Sequence, residues 1–495
     1  MKTAKQVAFT VAVLLLLNCW DSAARAVEIQ PDASETVALA KAQEGVRWYG
    51  IYVMGKKVGW QREEWVIKDD SFCTHLHFQL RLAILFSVTT ISMKESACFQ
   101  TAAPFYARSL ESHRDEGGKK VDISGKLEAD QIVLTIDTST QKRTSRIPAN
   151  YEVLTDSLPW AAMARMEPGD FTNAHSHDEL TGRRRWQKLT LKGSSNKTIL
   201  GRKQTVYEAL LEDELGLKLD MLLSEDGLIL EGSVGPNMRI VLEDEKTAKD
   251  TGKQLLDFYT NSFVKATGKI NYGKVHLIKK MRVRLSGQSK IDLAPSRRQH
   301  TEEEGDKHRL MTVTACSDGK DAQPEDKYRK CSADLPCDLP QYKEQAARIV
   351  GEEKTVEARA AALTLWIHKN FKYALGAGGG TADQILDEKK GDCTEFSKAL
   401  VLLARAQGLT ARQVSGVALS SGSPPSFGYH AWAEVFVPGR GWVAYDPTWG
   451  HHPVDASHLI MDIEAGLGMA LHLGSLKIDI LAVEYANEKE GLQCD

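Results

Sequence analysis

Gly391-Asp392-Cys393, Tyr429-His430-Ala431-Trp432 and Trp442-Val443-Ala444-Tyr445-Asp446-Pro447-Thr448 place a thiol, an imidazole and a carboxylate in that chain order. A cysteine nucleophile needs a base to take its proton, and the base needs an acceptor on its far ring nitrogen to fix tautomer and orientation. Singly, each residue has a bland explanation. A cysteine on a helix is usually a small core residue, and a histidine beside a strand is usually satisfied structure. Together they form a pattern that local structure reinforces. Phe396, Leu400, Leu403 and Ala404 recur at helical spacing, and Gly408 ends the run, so Thr394 to Gln407 reads as a helix. Gly391-Asp392 is then a turn, and Cys393 falls at a helix N-terminus. The partial positive charge there favours thiolate, and free amide N–H groups can hold an oxyanion.

Downstream, Thr410 to Val417 and Ala431 to Val437 read as strands, with His430 at the start of the second. Pro438-Gly439-Arg440-Gly441 is a turn, and Trp442 to Tyr445 a third strand ended by Asp446-Pro447. A hairpin of the last two strands sets His430 beside Asp446.

Residues from about Leu339 to Gly450 resemble the transglutaminase-like core, a papain-like cysteine fold common in bacterial exported proteins. The matching residues are Trp366, Tyr373, Gly391-Asp392-Cys393, Arg405-Ala406-Gln407-Gly408-Leu409, Ala411-Arg412, Gly416, His430-Ala431-Trp432, Glu434, Gly441-Trp442 and Asp446-Pro447-Thr448. The resemblance implies Cys393 as nucleophile, His430 as base and acid, and Asp446 as orienting carboxylate. It implies a mechanism and not a substrate, because the family holds cross-linking enzymes, proteases and amidases. The alternative is a binding or scaffold protein with an inert core.

A chain of 495 residues is too long for one core. Lys2 and Lys5 precede an apolar run from Val7 to Leu17, and Ala24-Arg25-Ala26 is a small-x-small site. This is a signal-peptide pattern, so residues 1–26 are expected to be removed on export to the periplasm or outside the cell. No other stretch is apolar enough to span a bilayer. The net charge of −3 gives no field toward nucleic acid or anionic lipid. The expected partner is a protein or peptide substrate, with no nucleic acid and no membrane span. Neither a metal nor a cofactor is expected. Arg183-Arg184-Arg185 and Arg297-Arg298 read as solvated loops, and His175-Ser176-His177-Asp178 as a polar loop rather than a metal site. Gly376-Ala377-Gly378-Gly379-Gly380 lacks the Lys-Ser or Lys-Thr of a phosphate loop and reads as a flexible loop, with a rim of the cleft as the alternative from its place upstream of Cys393. His451-His452 are candidates for the site entrance.

Cys19 leaves with the signal. If Cys393 is the free nucleophile, Cys73, Cys98, Cys316, Cys331, Cys337 and Cys494 remain, an even number for an oxidising compartment. Cys73 and Cys98 lie in strand-like runs of one stretch and are expected to pair. Two of Cys316, Cys331 and Cys337 can pair locally, leaving the third for Cys494.

The fold class expected is α+β: a C-terminal papain-like core, its cysteine-bearing helix packed on antiparallel sheet, behind an antiparallel β-rich region. Short runs at 47–53, 58–67, 72–80, 87–94, 105–112, 120–127 and 131–138 read as strands, and others follow from Trp186 to Val234. A helix is expected over Leu154–Met166. This stretch resembles the curved β-sheet domains that precede the core in some exported bacterial relatives. The expected divisions are 27–246 as the β-rich domain, 247–338 as a small β unit and charged linker, and 339–495 as the core with a C-terminal extension. Within the middle segment, Thr247 to Thr267 is a helix candidate and Val275 to Leu285 a strand. Asp292 to Lys330, rich in charge, reads as exposed loop. Pro340 to Lys369 reads as helix.

Overall fold

The computed structural model describes Ala26 and residues 33–493, apart from 69, 85–86, 152, 155–164, 200, 215–216, 236, 253–262, 288–295, 306–307, 317–323, 377–378, 421–425 and 464–475. The signal pattern through residue 25, most of the helix expected over Leu154–Met166 and the middle of the candidate over Thr247–Thr267 therefore lie outside the described residues.

Turn chemistry builds the first half. A helix, α1 (Ala33–Ala42), leads into eight strands: β1 (Gly45–Val53), β2 (Lys56–Lys68), β3 (Ser71–Ile84), β4 (Ser87–Gln100), β5 (Ala107–Glu116), β6 (Lys119–Glu128), β7 (Gln131–Thr138) and β8 (Lys142–Pro148). Six more follow: β9 (Phe171–Asp178), β10 (Arg183–Ile199), β11 (Arg202–Asp213), β12 (Lys218–Ser224), β13 (Ile229–Val234) and β14 (Met238–Glu243). Each meander zips antiparallel to its neighbour, and β1 pairs with β14, so the described strands join in one sheet of fourteen. In β6 and β7 alternate residues face inward. Val121, Ile123, Ile132, Leu134 and Ile136 meet Phe72, Phe99 and Phe105 in one core cluster. Cys73 stands directly opposite Cys98 in the β3–β4 register, and the two form a disulfide.

His175-Ser176-His177-Asp178 is not a loop but the end of β9, and Arg183-Arg184-Arg185 opens β10 against it. Arg185 pairs with Asp178 at 2.8 Å and Arg183 with Glu214 at 3.0 Å. Paired charges on a sheet look, in sequence, like a solvated run.

The second half is a mixed layer of sheet and helix. A short helix, α2 (Glu245–Lys249), is all that the candidate over Thr247–Thr267 retains among the described residues; its end is β15 (Val264–Thr267). Tyr272–Leu277 forms a 3-10 helix, so the strand expected from Val275 starts later, as β16 (Ile278–Ser286). Asp292–Lys330 is corrected most. It contains a hairpin of β17 (Gln299–Glu304) and β18 (His308–Thr314). β17 is an edge strand whose Thr301, Glu302 and Glu303 face solvent, which hides it from hydrophobic patterning. The expected helix over Pro340–Lys369 is two helices, α3 (Pro340–Val350) and α4 (Val356–Asn370). Gly351 at φ 58° stops the first, and the Thr355 side chain caps the second.

Then come β19 (Lys372–Tyr373), α5 (Ala382–Glu388), β20 (Lys390–Gly391), α6 (Cys393–Ala406), β21 (Ala411–Leu419), β22 (Ser426–Val437), β23 (Gly441–Tyr445), β24 (His458–Ile463) and β25 (Lys477–Tyr485). The sheet runs β17-β18-β16-β25-β15-β22-β21-β24, with β23 also on β22, so it takes strands from both sides of position 339. α6 lies between this sheet and α3, α4 and α5. Phe396, Ala399, Leu400, Leu403 and Ala404 are buried, as their spacing predicts, and so are Val401 and Leu402 on the opposite face. Each fully buried leucine contributes about 2 kcal/mol of transfer free energy. Cys331 and Cys337 form a disulfide, Cys316 is also disulfide-bonded, and Cys393 is a free thiol. The pairing of Cys494 lies outside the described residues.

The two halves are held together by polar contacts. The Gln384 amide of α5 donates to Lys120 O and Ser139 Oγ, each at 3.0 Å. Gln141 Nε2 donates to buried Asp383 at 2.8 Å, as does the Thr140 hydroxyl. Arg143 pairs with Asp338 at 2.7 Å, and Thr89 Oγ1 donates to Gly376 O at 2.8 Å.

Candidate functional site

Cys393 is the first residue of α6. Asp392 is the N-cap: its side chain accepts from Thr394 N at 3.0 Å, and Glu395 reaches back to Asp392 N at 2.8 Å, closing a capping box. Glu395 is buried, and that burial with the Asp392 carboxylate pushes it up to about 8. Its other oxygen accepts from Gly379 N at 3.2 Å, while Gly380 N donates to Glu116 of the first sheet at 3.2 Å. Gly379 (φ +72°) and Gly380 (φ +90°) leave no room for a side chain: a Cβ on Gly379 would lie 1.9 Å from Glu116 Oε2. These glycines are pinned between the first sheet and the cysteine-bearing helix. Gln413 of β21 donates to Thr394 O and Ser397 Oγ, at 3.0 and 2.8 Å, and ties the helix start to the second sheet.

β22 begins at Ser426, so His430 lies inside that strand rather than at its start. The Ala431 backbone N–H donates to the Cys393 sulfur, which puts the His430–Ala431 peptide against the thiol. Gly416 is the partner of His430 in the β21–β22 register, and a Cβ there would lie 2.0 Å from Leu459 O. The β22–β23 hairpin brings Asp446 to His430: Nε2 donates to Asp446 Oδ2 at 2.9 Å. Asp446 Oδ1 accepts from Thr448 N at 2.8 Å and Trp449 N at 3.3 Å. The Trp449 ring stacks on His430 with centroids 4.3 Å apart and 14° between planes, which fixes the imidazole plane. With Nε2 engaged by Asp446, Nδ1 is the nitrogen left for the thiol.

Cys393 is 7% exposed, His430 5% and Asp446 0%. Burial raises the Cys393 thiol well above its ordinary range, and the carboxylates of Asp392, Glu395 and Asp446 add to this. The Ala431 N–H only partly offsets them. The expectation that the helix terminus favours thiolate is thus opposed by burial and by three carboxylates. Burial would also raise Asp446, but the His430 and His458 imidazoles outweigh it and hold the carboxyl far below the usual range.

Three residues outside the sequence-based site sit around Asp446. His458 is fully buried, with Nε2 3.4 Å from Asp446 Oδ2. Asp455 lies 3.5 Å from His458 Nδ1. Arg298, read as part of a solvated loop, is 2% exposed and donates to the carbonyls of Thr314, Ala315 and Asp455 at 3.1, 3.2 and 3.1 Å. Polar residues spaced along a loop carry no sequence signal of burial; only the β21–β24 pairing folds Asp455 and His458 inward. His451 faces Asp455 at 3.6 Å, and His452 is exposed. The ring nitrogens of His430 and His458 and a carboxylate oxygen of Asp446 lie within 4.8 Å of one another. Hydrogen bonds through Asp446 Oδ2 already use those atoms, and no metal is assigned to them.

Beneath this centre, Arg412 of β21 donates twice to Glu434 Oε2, at 2.9 and 2.7 Å, and stacks on Trp442 with its guanidinium 4.0 Å from the ring centroid. Both charges are buried.

Residues 343–447 match the sequence profile of the transglutaminase-like superfamily. This region is transglutaminase-like in sequence. Cys393, His430 and Asp446 all fall within the transglutaminase-like region, whereas Asp455 and His458 lie just beyond the match. A protein-glutamine gamma-glutamyltransferase of Pseudomonas aeruginosa is 30% identical over 150 residues, 27% of this chain and 21% of the relative. An uncharacterized protein of Haemophilus influenzae is 30% identical over 128 residues, 21% of this chain and 35% of the relative. The chain thus spans about a fifth and about a third of the lengths of these curated relatives. Among solved structures, a protein assigned as a cysteine protease from Cytophaga hutchinsonii aligns over 44% of this chain and 89% of its own, at 16% identity and a TM-score of 0.26. A β-barrel-like protein of a domain of unknown function from Brucella abortus aligns over 40% of this chain and 95% of its own, at 12% identity and a TM-score of 0.31.

Proposed function

We propose that the chain is an exported cysteine acyl-transfer enzyme acting on a carboxamide or peptide carbonyl of a protein or peptide. The observation that carries this is the free Cys393 at a helix start, its sulfur held by Ala431 N–H, beside a His430–Asp446 pair at 2.9 Å. Because the thiol rests above its ordinary range, its proton leaves during the attack rather than before it. His430 Nδ1 takes that proton as the sulfur bonds to the carbonyl carbon. The Cys393 N–H, at the start of α6, faces the position of the developing oxyanion. His430 then returns the proton to the leaving nitrogen, the C–N bond breaks, and an acyl thioester remains. Water or a primary amine attacks the thioester, gives its proton to His430, and releases Cys393. Asp446 stabilises the imidazolium throughout. The name of the Pseudomonas relative fits the amine branch. Export belongs to the same proposal: the amino-terminal signal pattern and the disulfides Cys73–Cys98 and Cys331–Cys337 support it.

The buried state of Cys393 favours a second reading, an inert core that binds through the first sheet. The two separate on incubation with glutamine-containing peptides, with and without a primary amine, followed by intact-mass analysis. The enzyme reading expects a thioester on Cys393 and release of ammonia or peptide amine. Absence of any acyl adduct, with iodoacetamide labelling no faster than in His430→Ala, establishes the inert core.

A further inference from the structure

The proposed chemistry uses His430 and Asp446 and leaves a second buried histidine unexplained. His458 opens β24 and has no exposed surface. Its Nε2 lies 3.4 Å from Asp446 Oδ2, the oxygen that also takes His430 Nε2. On its other side Nδ1 lies 3.5 Å from Asp455 Oδ1, an oxygen that also accepts from Ser457 N at 2.8 Å. Trp432 and Trp449 wall the ring edge-on, at 5.1 and 5.2 Å between centroids, and the His430 ring is 5.6 Å away.

We propose that His458 is a positioning residue for the acyl transfer, a buried imidazolium clamped between Asp446 and Asp455 that keeps Asp446 ionised and aimed at His430. The inference rests on the reading of Cys393, His430 and Asp446 as acyl-transfer machinery. A neutral imidazole has one N–H, and His458 has a carboxylate at each nitrogen. Both carboxylates are buried, so without a cation between them one would take up a proton. A protonated Asp446 would neither fix the tautomer of His430 nor balance its charge. Asp455 has other partners: His451 at 3.6 Å, and the buried guanidinium of Arg298, which donates to the Asp455 carbonyl and acts electrostatically on its carboxylate. Apart from His430, His458 is the basic side chain in contact with Asp446 among the described residues. Burial alone would lower His458, but Asp455 and Asp446 raise it to about 9, which agrees with the geometry.

Two measurements test this on the full chain. In protein labelled with ¹⁵N-histidine, long-range proton–nitrogen spectra at pH 7.5 should show both ring nitrogens of His458 protonated. The signals are identified by their loss in His458→Gln or, if that chain does not fold, by their retention when the other histidines are replaced in turn. A neutral His458 at that pH overturns the proposal. Second, the rate of Cys393 alkylation by iodoacetamide is followed against pH in the parent and in His458→Gln, which keeps an N–H donor without the charge. By the proposal Asp446 then takes up a proton and no longer balances the charge on His430, so the acidic limb should move down by about one pH unit or more. A residue that only fills space would change the rate or the stability and leave the limb in place. An unmoved limb in folded His458→Gln overturns the inference. If the parent forms no acyl adduct and labels no faster than His430→Ala, the acyl-transfer reading fails, a separate result from the charge state of His458.

Discussion

Asp446→Asn should be far more damaging than its near-identical size suggests, because the hydrogen bonds around Asp446 dictate which way an amide sits. Oδ1 accepts from two backbone N–H groups, Thr448 at 2.8 Å and Trp449 at 3.3 Å, so the amide oxygen must take that side. The NH₂ group then faces His430 Nε2 and His458 Nε2, and His458 must give up its Nε2 proton to receive it. A donor facing Nε2 turns His430 into the tautomer that carries its proton on Nδ1, the nitrogen needed to accept the thiol proton. A wrong tautomer at this position in a triad costs about 10⁴ in turnover, equivalent to about 5 kcal/mol on the barrier. The assay is single-turnover acylation of Cys393 by a glutamine peptide, paired with ¹⁵N spectra of His430. Turnover within tenfold of the parent, or a proton still on Nε2 of His430 in the variant, would refute the reasoning.

Cys393→Ala should abolish thioester formation with unchanged circular dichroism and melting, since the side chain is small and sits at a helix start; retained turnover would remove Cys393 from the mechanism. Arg412→Leu should destabilise by about 3–5 kcal/mol in urea unfolding, because it strands the buried Glu434 carboxylate, and Arg412→Leu with Glu434→Leu should recover most of the loss. Additive losses in that pair would mean the two charges do not act together. His458 binds a proton more tightly folded than unfolded, so its contribution of about 3 kcal/mol is fully present below about pH 6.5 and is lost as pH rises through about 9. Asp446 and Asp455 are depressed when folded, so their contribution is present above about pH 4 and is lost as pH falls further. Urea midpoints across pH 6–10 should therefore fall in the parent and flatten in His458→Gln; a parent curve flat across that range would contradict the alkaline half of this account.

The parts of the site set by local rules were legible in the sequence. The apolar spacing of Phe396, Leu400 and Leu403 placed α6, and Pro438-Gly439-Arg440-Gly441 placed the hairpin that sets His430 beside Asp446. What escaped depends on contacts distant in sequence. β17 is polar because it is an edge, and β25 enters the sheet between β16 and β15 with no local signal that it should. Asp455, His458 and Arg298 have the look of loop polar residues; they are buried because β24 pairs with β21 and because Arg298 finds carbonyl acceptors more than a hundred residues away. The same limit applies to the thiol. A helix terminus can be read from a pattern, but the carboxylates that oppose it are known only once Glu395 and Asp446 are placed.

The bonds between α5 and the first sheet bear on how freely the second half could be separated or transplanted. Asp383 and Gln384 are 0% and 1% exposed, and their partners are Lys120 of β6 and Ser139, Thr140 and Gln141 in the turn between β7 and β8. Cutting near residue 339 would leave a carboxylate and an amide on a newly bared surface, and would release the glycines whose amides are shared between Glu116 and Glu395. The transglutaminase-like region is therefore not a cassette. In any graft onto another scaffold, the first sheet would have to travel with it, or a substitute surface would have to supply the same acceptors and donors to α5 and to the loop before Cys393.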